Sequence, residues 1–140
     1  MVKAALRDFV DRALVTKSVS AEDVASLRRD VLPRGLMGRD EADLLIALDR
    51  AVSSDRAWEE YLIAEVVEFV VWVCRPTGTV DAETARWLTT TLGCGRGPTD
   101  TAMRIAFATV KEAEKVDEVL LAFVMRRSKH GAGANAYLAA

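Results

Sequence analysis

Histidine is almost missing: one residue, His130, serves a chain of 140. A lone imidazole near the end of the chain leaves little room for Ser–His or Cys–His nucleophile chemistry. It also excludes the Glu-x-x-His pairs on which a di-metal carboxylate bundle depends. Cysteine is scarce too. Cys74 and Cys94 have neither metal-type spacing nor a partner pattern, and they read as reduced thiols. Proline occurs only three times, which leaves long stretches open to helix. Positive charge is not in excess, with 19 Lys and Arg against 21 Asp and Glu and a pI near 5.5. That balance excludes a dedicated nucleic-acid binder. No apolar run is long enough to cross a bilayer: the most hydrophobic window, Tyr61–Cys74, is short and holds Glu65 and Glu68. The N-terminus, MVKAALRDFVDR, carries Asp8 and Asp11 and does not read as a signal peptide. The expected location is therefore cytoplasmic.

What is present is helix. The chain is organised around Ala57–Arg75, AWEEYLIAEVVEFVVWVCR, which is apolar nearly all the way round and reads as a helix enclosed by others. Trp58, Leu62, Val66, Phe69, Val70 and Val73 form one stripe, and Ile63, Val67, Val71 and Cys74 cover another face. Asp55 is placed to cap its start and Pro76 to end it. Before it, Lys3–Val15 sets Leu6, Phe9, Val10, Ala13 and Leu14 at helical spacing. Ser20 opens a second helix, with Asp23 three residues on as a capping-box match and Val24, Leu27 and Val31 inward. A third helix runs Arg39–Val52, with Leu44, Leu45, Leu48 and Val52 apolar.

After the central stretch, Asp81 caps a fifth helix to about Leu92 that buries Ala85, Leu88 and Leu92. The glycine-rich loop Gly93–Pro98 follows. Thr99 opens a sixth helix to about Lys115, with Ile105, Phe107, Ala108 and Val110 apolar. Asp117 caps a seventh, which carries Val119, Leu120, Phe123 and Val124. The sequence predicts no strand. The expected fold class is all-α, a compact bundle of about seven helices in one domain over 1–130, with a flexible tail over 131–140.

Four punctuating segments divide the chain: Thr16–Ser20, Arg34–Gly38, Thr77–Asp81 and Cys94–Pro98. The first and third start 61 residues apart, the second and fourth 60. The offset of 61 lays Val19-Ser20-Ala21-Glu22 on Val80-Asp81-Ala82-Glu83, Leu27 on Leu88, Leu44 on Ile105 and Ile46 on Phe107. Two pseudo-repeated helix-turn-helix halves flanking a buried central helix explain the pattern.

These turns carry a resemblance. Asp-Gly-x-Val-Ser-x-x-Glu turns between helices, in an all-α domain of this size, are characteristic of the tellurite-resistance TerB-like family. Gly35 and Glu41 match the turn in the first half, with Met37 at the aliphatic position. Gly78, Val80 and Asp81 match it in the second. The run of Pro76, Gly78, Val80, Asp81, Trp87 and Leu88 also resembles bacterial members of that group. The resemblance covers residues 15–125. It implies acidic turn residues, divalent-metal binding and membrane-linked stress responses. The chain departs from the pattern at one point: Thr16, Arg34, Thr77 and Cys94 stand where the family has Asp. Calcium takes six to eight oxygen ligands, several of them charged, and an arginine at a ligand position repels it. No metal or other cofactor is expected here. The remaining acids, Glu41, Asp81 and Glu83, are the weaker alternative for a metal.

Other constellations have plainer readings. Gly93–Pro98 lacks the lysine and the preceding strand of a phosphate loop. Arg126, Arg127, Lys129 and His130 suit the negative end of a helix. Arg28, Arg29, Arg34 and Arg39 cluster near a helix-turn-helix, but Asp30, Asp40, Glu41 and Asp43 interleave with them and cancel the field that a phosphate backbone requires. Glu65 and Glu68 lie one turn apart on the central helix and share a face with Tyr61 and Trp72. Burial there raises a carboxylate's pKa, as in acid–base catalysts, whereas a solvent stripe leaves it alone.

The expected function is a non-catalytic interaction or adaptor module, TerB-like and stress-related. Its expected partner is a protein, which includes a second copy of the chain as a homodimer, and not nucleic acid. Glu65, Glu68 and Trp72 are the expected binding residues, at the default place where two halves meet. A metal- or anion-responsive binding protein and an enzyme of other chemistry are the alternatives.

Overall fold

A computed structural model of the chain describes residues 3–95 and 97–128. Helix accounts for 72% of the structure, which fixes the class as an all-α bundle. Among the described residues, seven α-helices are interspersed with four strands of two residues each. The chain divides into two compact units, Met1–Phe69 and Val70–Ala140.

The first unit begins with α1 (Ala4–Thr16), which buries Leu6, Phe9, Val10 and Ala13 at the spacing the sequence predicts. It ends on Lys17, whose φ of 57° is left-handed. Then come β1 (Ser18–Val19) and α2 (Ala21–Ser26). Ser20 and Asp23 form a reciprocal capping box: Oγ of Ser20 accepts from the Asp23 N–H at 3.2 Å, and Asp23 Oδ2 from the Ser20 N–H at 2.9 Å. The helix continues as a π-helical turn, Leu27–Val31, closed by the Leu32 N–H donating to the Leu27 carbonyl at 2.8 Å. After a glycine turn come α3 (Arg39–Ala51), β2 (Ser53–Ser54) and α4 (Arg56–Glu68). α1 packs on α3, and α4 on α2 and α3. The core between them holds Leu6, Leu27, Leu45, Ile46, Trp58, Tyr61 and Leu62.

The second unit opens in the π-helical turn Phe69–Val73, which extends α4 and yields to β3 (Thr79–Val80). α5 (Ala82–Leu92), α6 (Asp100–Glu112), β4 (Lys115–Val116) and α7 (Glu118–Ser128) follow. Asp81 accepts from the Thr84 N–H at 2.9 Å, Thr99 from the Ala102 N–H at 3.0 Å and Asp117 from the Val119 N–H at 3.0 Å. Each helix N-terminus is thereby capped by the side chain the sequence places there. α5, α6 and α7 pack on one another over Ala85, Leu88, Leu92, Ile105, Ala106 and Leu120.

From its first strand on, each unit runs strand, helix, helix, strand, helix, and the π-helical turn Leu27–Val31 interrupts that order in the first. α2 and α5 start at Ala21 and Ala82, while α3 and α6 each run 13 residues from Arg39 and Asp100. Both intervals are the offset of 61 read from the sequence. Inside each unit the two short strands pair in parallel, Ser18–Val19 with Ser53–Ser54 and Thr79–Val80 with Lys115–Val116. The Asp55 N–H donates to the Val19 carbonyl at 3.4 Å, and the Asp117 N–H to the Val80 carbonyl at 2.8 Å. In both places the donor is also the cap of the unit's last helix, and the valine is fully buried.

Several expectations need correction. The strands escape a reading by periodicity because two residues cannot display alternation. Leu14, at helical spacing with the buried residues of α1, is 43% exposed, and Val73, on the first stripe of the central stretch, is 40% exposed. The central stretch is a hybrid of α-helix and π-helical turn. The π-helical turn widens the spiral and shifts the register of its last residues, so Val71 is buried while Trp72 and Val73 face solvent. The expected flexible tail over 131–140, Lys129, His130 and Arg96 lie outside the described residues.

Lys17 is the one non-glycine described in the left-handed region. Replacing it by glycine removes the Cβ clash at the end of α1, so Lys17→Gly is expected to gain roughly 0.5–1 kcal/mol in urea unfolding. A loss of stability would show that the Lys17 side chain holds the turn by its own contacts.

Candidate functional site

The turn between the π-helical segment and α3 brings the first unit's polar chemistry together. Gly35 occupies it with φ of 77°, a left-handed conformation that a Cβ would strain. The position such a Cβ would take lies 3.2 Å from Glu65 Oε1, so the Glu65 carboxylate sits on the bare face of the glycine. Glu41, in the first turn of α3, is only 4% exposed and accepts from the Met37 N–H at 2.8 Å. Gly38 offers α3 no capping side chain, and Glu41 reaches back to do that work one residue further out.

Tyr61, one turn before Glu65 on α4, is 1% exposed. Its hydroxyl is a buried polar atom with no hydrogen-bond partner. Such an orphan costs about 1–3 kcal/mol in a protein interior. Trp58, with its ring centroid 6.3 Å away, shows the contrast: fully buried, it donates its indole N–H to Asp49 Oδ1 at 3.1 Å. Above Tyr61, the guanidinium carbon of the exposed Arg28 stands 5.3 Å from the ring centroid, a cation–π contact.

The electrostatics follow from this burial. Desolvation pushes the Glu65 carboxyl above the ordinary glutamate range; Arg28 pulls it down and Glu68 pushes it up further. Tyr61 is raised by desolvation first, then by the Glu65 charge, with Arg28 opposing and Glu41 adding to the rise. Arg28 therefore offsets only part of the negative charge gathered around the ring.

Of the residues expected to bind a partner, Glu65 is half-buried in this cluster, and Glu68 is exposed on the same helix. Trp72 belongs to the second unit, where it is 38% exposed. Its indole N–H donates to Glu112 Oε1 at 3.2 Å, and its ring lies 3.6 Å from where a Cβ at Gly78 would stand, with the Glu114 carboxylate closer at 3.3 Å. The alternative metal acids have local duties: Glu41 holds the Met37 N–H, Asp81 caps α5, and Glu83 lies in that helix's first turn. Among the described residues no three His, Cys, Asp or Glu side chains converge as a metal would need. No helix described is long and apolar enough to cross a membrane.

The sequence pointed to Glu65 through its place on an apolar helix, and to Tyr61 as its neighbour on one face. It gave no sign that Arg28 would cover Tyr61, because the two are 33 residues apart and no periodicity joins them. A separate open groove of about 710 Å³ runs between α1 and α3, lined by Val10, Leu14, Leu44 and Ala47 with Arg7 and Asp11 at its rim. Comparison with known proteins finds no matching family model, no matching curated protein and no matching solved structure.

Two outcomes test this geometry. A folded-state pKa above the unfolded value means that the native state holds the Glu65 proton more tightly. The stability tied to that proton is full below the ordinary glutamate range and is lost as pH rises through the raised value. Glu65→Gln is therefore expected to be more stable than the parent at neutral pH, with the difference closing below about pH 4. A variant less stable at neutral pH would mean that Arg28 dominates. Gly35→Ala is expected to cost about 1–2 kcal/mol from the left-handed backbone, with crowding of Glu65 added. A neutral result in denaturant unfolding would contradict the close approach.

Proposed function

We propose that the chain is a non-catalytic helical interaction module of the TerB-like kind, built by duplication of one helical unit and working in the cytoplasm. Its docking point is the cluster of Arg28, Tyr61 and Glu65. The observation that carries this reading is the unsatisfied Tyr61 hydroxyl beside a carboxylate held half-buried at a cost. An apolar side chain at either place would fill the same space without the penalty, so the polar pair is best explained by something that completes it. The recurrence of element bounds at 61 residues supports the duplication, and the Gly35 and Gly78 turns support the TerB-like resemblance. A protein partner, including a second copy of this chain, is the expected occupant.

Parent and Glu65→Gln proteins immobilised side by side, and exposed to the lysate of the source cell, test the reading. Partner retention is expected to fall at least about tenfold on the variant, which keeps its fold; this corresponds to about 1.4 kcal/mol. Equal retention on both surfaces would place the docking point elsewhere. Light scattering after size exclusion checks the homodimer directly.

A further inference from the structure

We propose that Arg28 occupies a seat made for a guanidinium from outside the chain, and that a partner's arginine side chain takes its place against Tyr61 and Glu65. The inference rests on the reading of this cluster as a docking point, and it names the chemistry of the group that docks.

The groups around the seat set the sign of its ligand. Three carboxylates act on the pair: Glu65 and Glu41 on Tyr61, and Glu68 on Glu65. Against them stands one cation, Arg28. These carboxylates favour a cation over an anion.

The geometry narrows the cation. Arg28 lies over the aromatic face of Tyr61 and leaves the hydroxyl of that ring without a partner. A guanidinium carries five N–H donors in a planar fork and can stack or bridge two acceptors. Entering beside Glu65, it donates to the carboxylate and to the Tyr61 oxygen together, and satisfies the orphan that Arg28 leaves.

Access requires Arg28 to move, because Tyr61 is only 1% exposed with Arg28 in place. Arg28 is exposed, and its side chain can swing into water without disturbing the core residue beside it, Leu27. The Glu65 carboxylate lies against the Gly35 turn, 3.2 Å from where a Cβ at that glycine would stand. The chain's own arginine thus acts as a placeholder that a better-placed guanidinium displaces.

Titration of the full chain with methylguanidinium chloride tests this, read by calorimetry and by Trp58 emission, with sodium chloride at equal ionic strength as the reference. Arg28→Ala, with Arg28→Gln as a second variant at the same exposed position, is expected to bind methylguanidinium at least about tenfold tighter than the parent, a difference of about 1.4 kcal/mol. The double variant Arg28→Ala/Glu65→Gln is expected to lose that gain. A blocked Ala-Arg-Ala peptide forms the second arm. Tighter binding of the peptide than of methylguanidinium identifies a protein's arginine as the ligand, whereas binding no tighter than the free cation overturns that assignment. Equal affinities for the Arg28 variants and the parent overturn the seat itself, as does a double variant that keeps the gain. Either failure leaves the retention experiment on the Glu65→Gln surface free to succeed, so the two readings fall separately.

Discussion

Burial of one face of α4 governs the first unit. Trp58, Leu62 and Val66 are fully enclosed, and at about 25 cal/mol per Å² of apolar area their burial outweighs any single polar contact nearby. Fixing that face fixes the rotation of the whole helix. Tyr61, three residues from Trp58, is then carried inward with its hydroxyl, and Glu65 arrives at the boundary between core and solvent. Packing thus sets where the hydroxyl and the carboxylate sit, at a cost that an apolar side chain in either place would not carry.

The rest of the unit is arranged around this consequence. The turn after the π-helical segment meets α4 at Gly35, whose left-handed backbone suits glycine and whose bare face lies against the Glu65 carboxylate. Glu41 spends its carboxylate on the Met37 N–H, so it braces the turn and leaves the Tyr61 hydroxyl unanswered. Arg28 supplies the cation that keeps the neighbourhood tolerable, from a surface position with freedom to move. In the second unit the offset of 61 sets Gly78 on Lys17, and both residues are left-handed, with φ of 78° and 57°. There the Glu114 carboxylate lies 3.3 Å from where a Cβ at Gly78 would stand, much as Glu65 does at Gly35, and Trp72 beside it donates to Glu112.

Much of the fold was legible because it rests on local signals. Ser20, Asp55, Asp81, Thr99 and Asp117 all stand at helix starts, where a side-chain oxygen answers an unpaired N–H. The 3.6-residue pattern placed Leu6, Phe9 and Val10 in the core, and Val24, Leu27 and Val31 as well. The recurrence at 61 residues followed from punctuation alone. The π-helical turns could not be read that way, since a helix that changes pitch alters periodicity without changing composition. The parallel strand pairs were invisible for a different reason: they are set by backbone bonds between residues 35 or more positions apart. The site was half legible. Glu65 and Tyr61 share a helix face, which spacing reveals, whereas Arg28 and Gly35 come to them by tertiary packing. Glu68 and Trp72 share that face in sequence only: Glu68 is exposed, and the π-helical turn after it buries Phe69, Val70 and Val71 while it turns Trp72 toward solvent.

The account turns on a carboxylate that the fold keeps partly dry. Carbon-detected NMR of the Glu65 carboxyl through an acid titration measures that state in the intact chain. A midpoint above the ordinary glutamate range is predicted, moving higher still when Arg28 is replaced by alanine. A midpoint at or below that range, or one indifferent to Arg28, would contradict it.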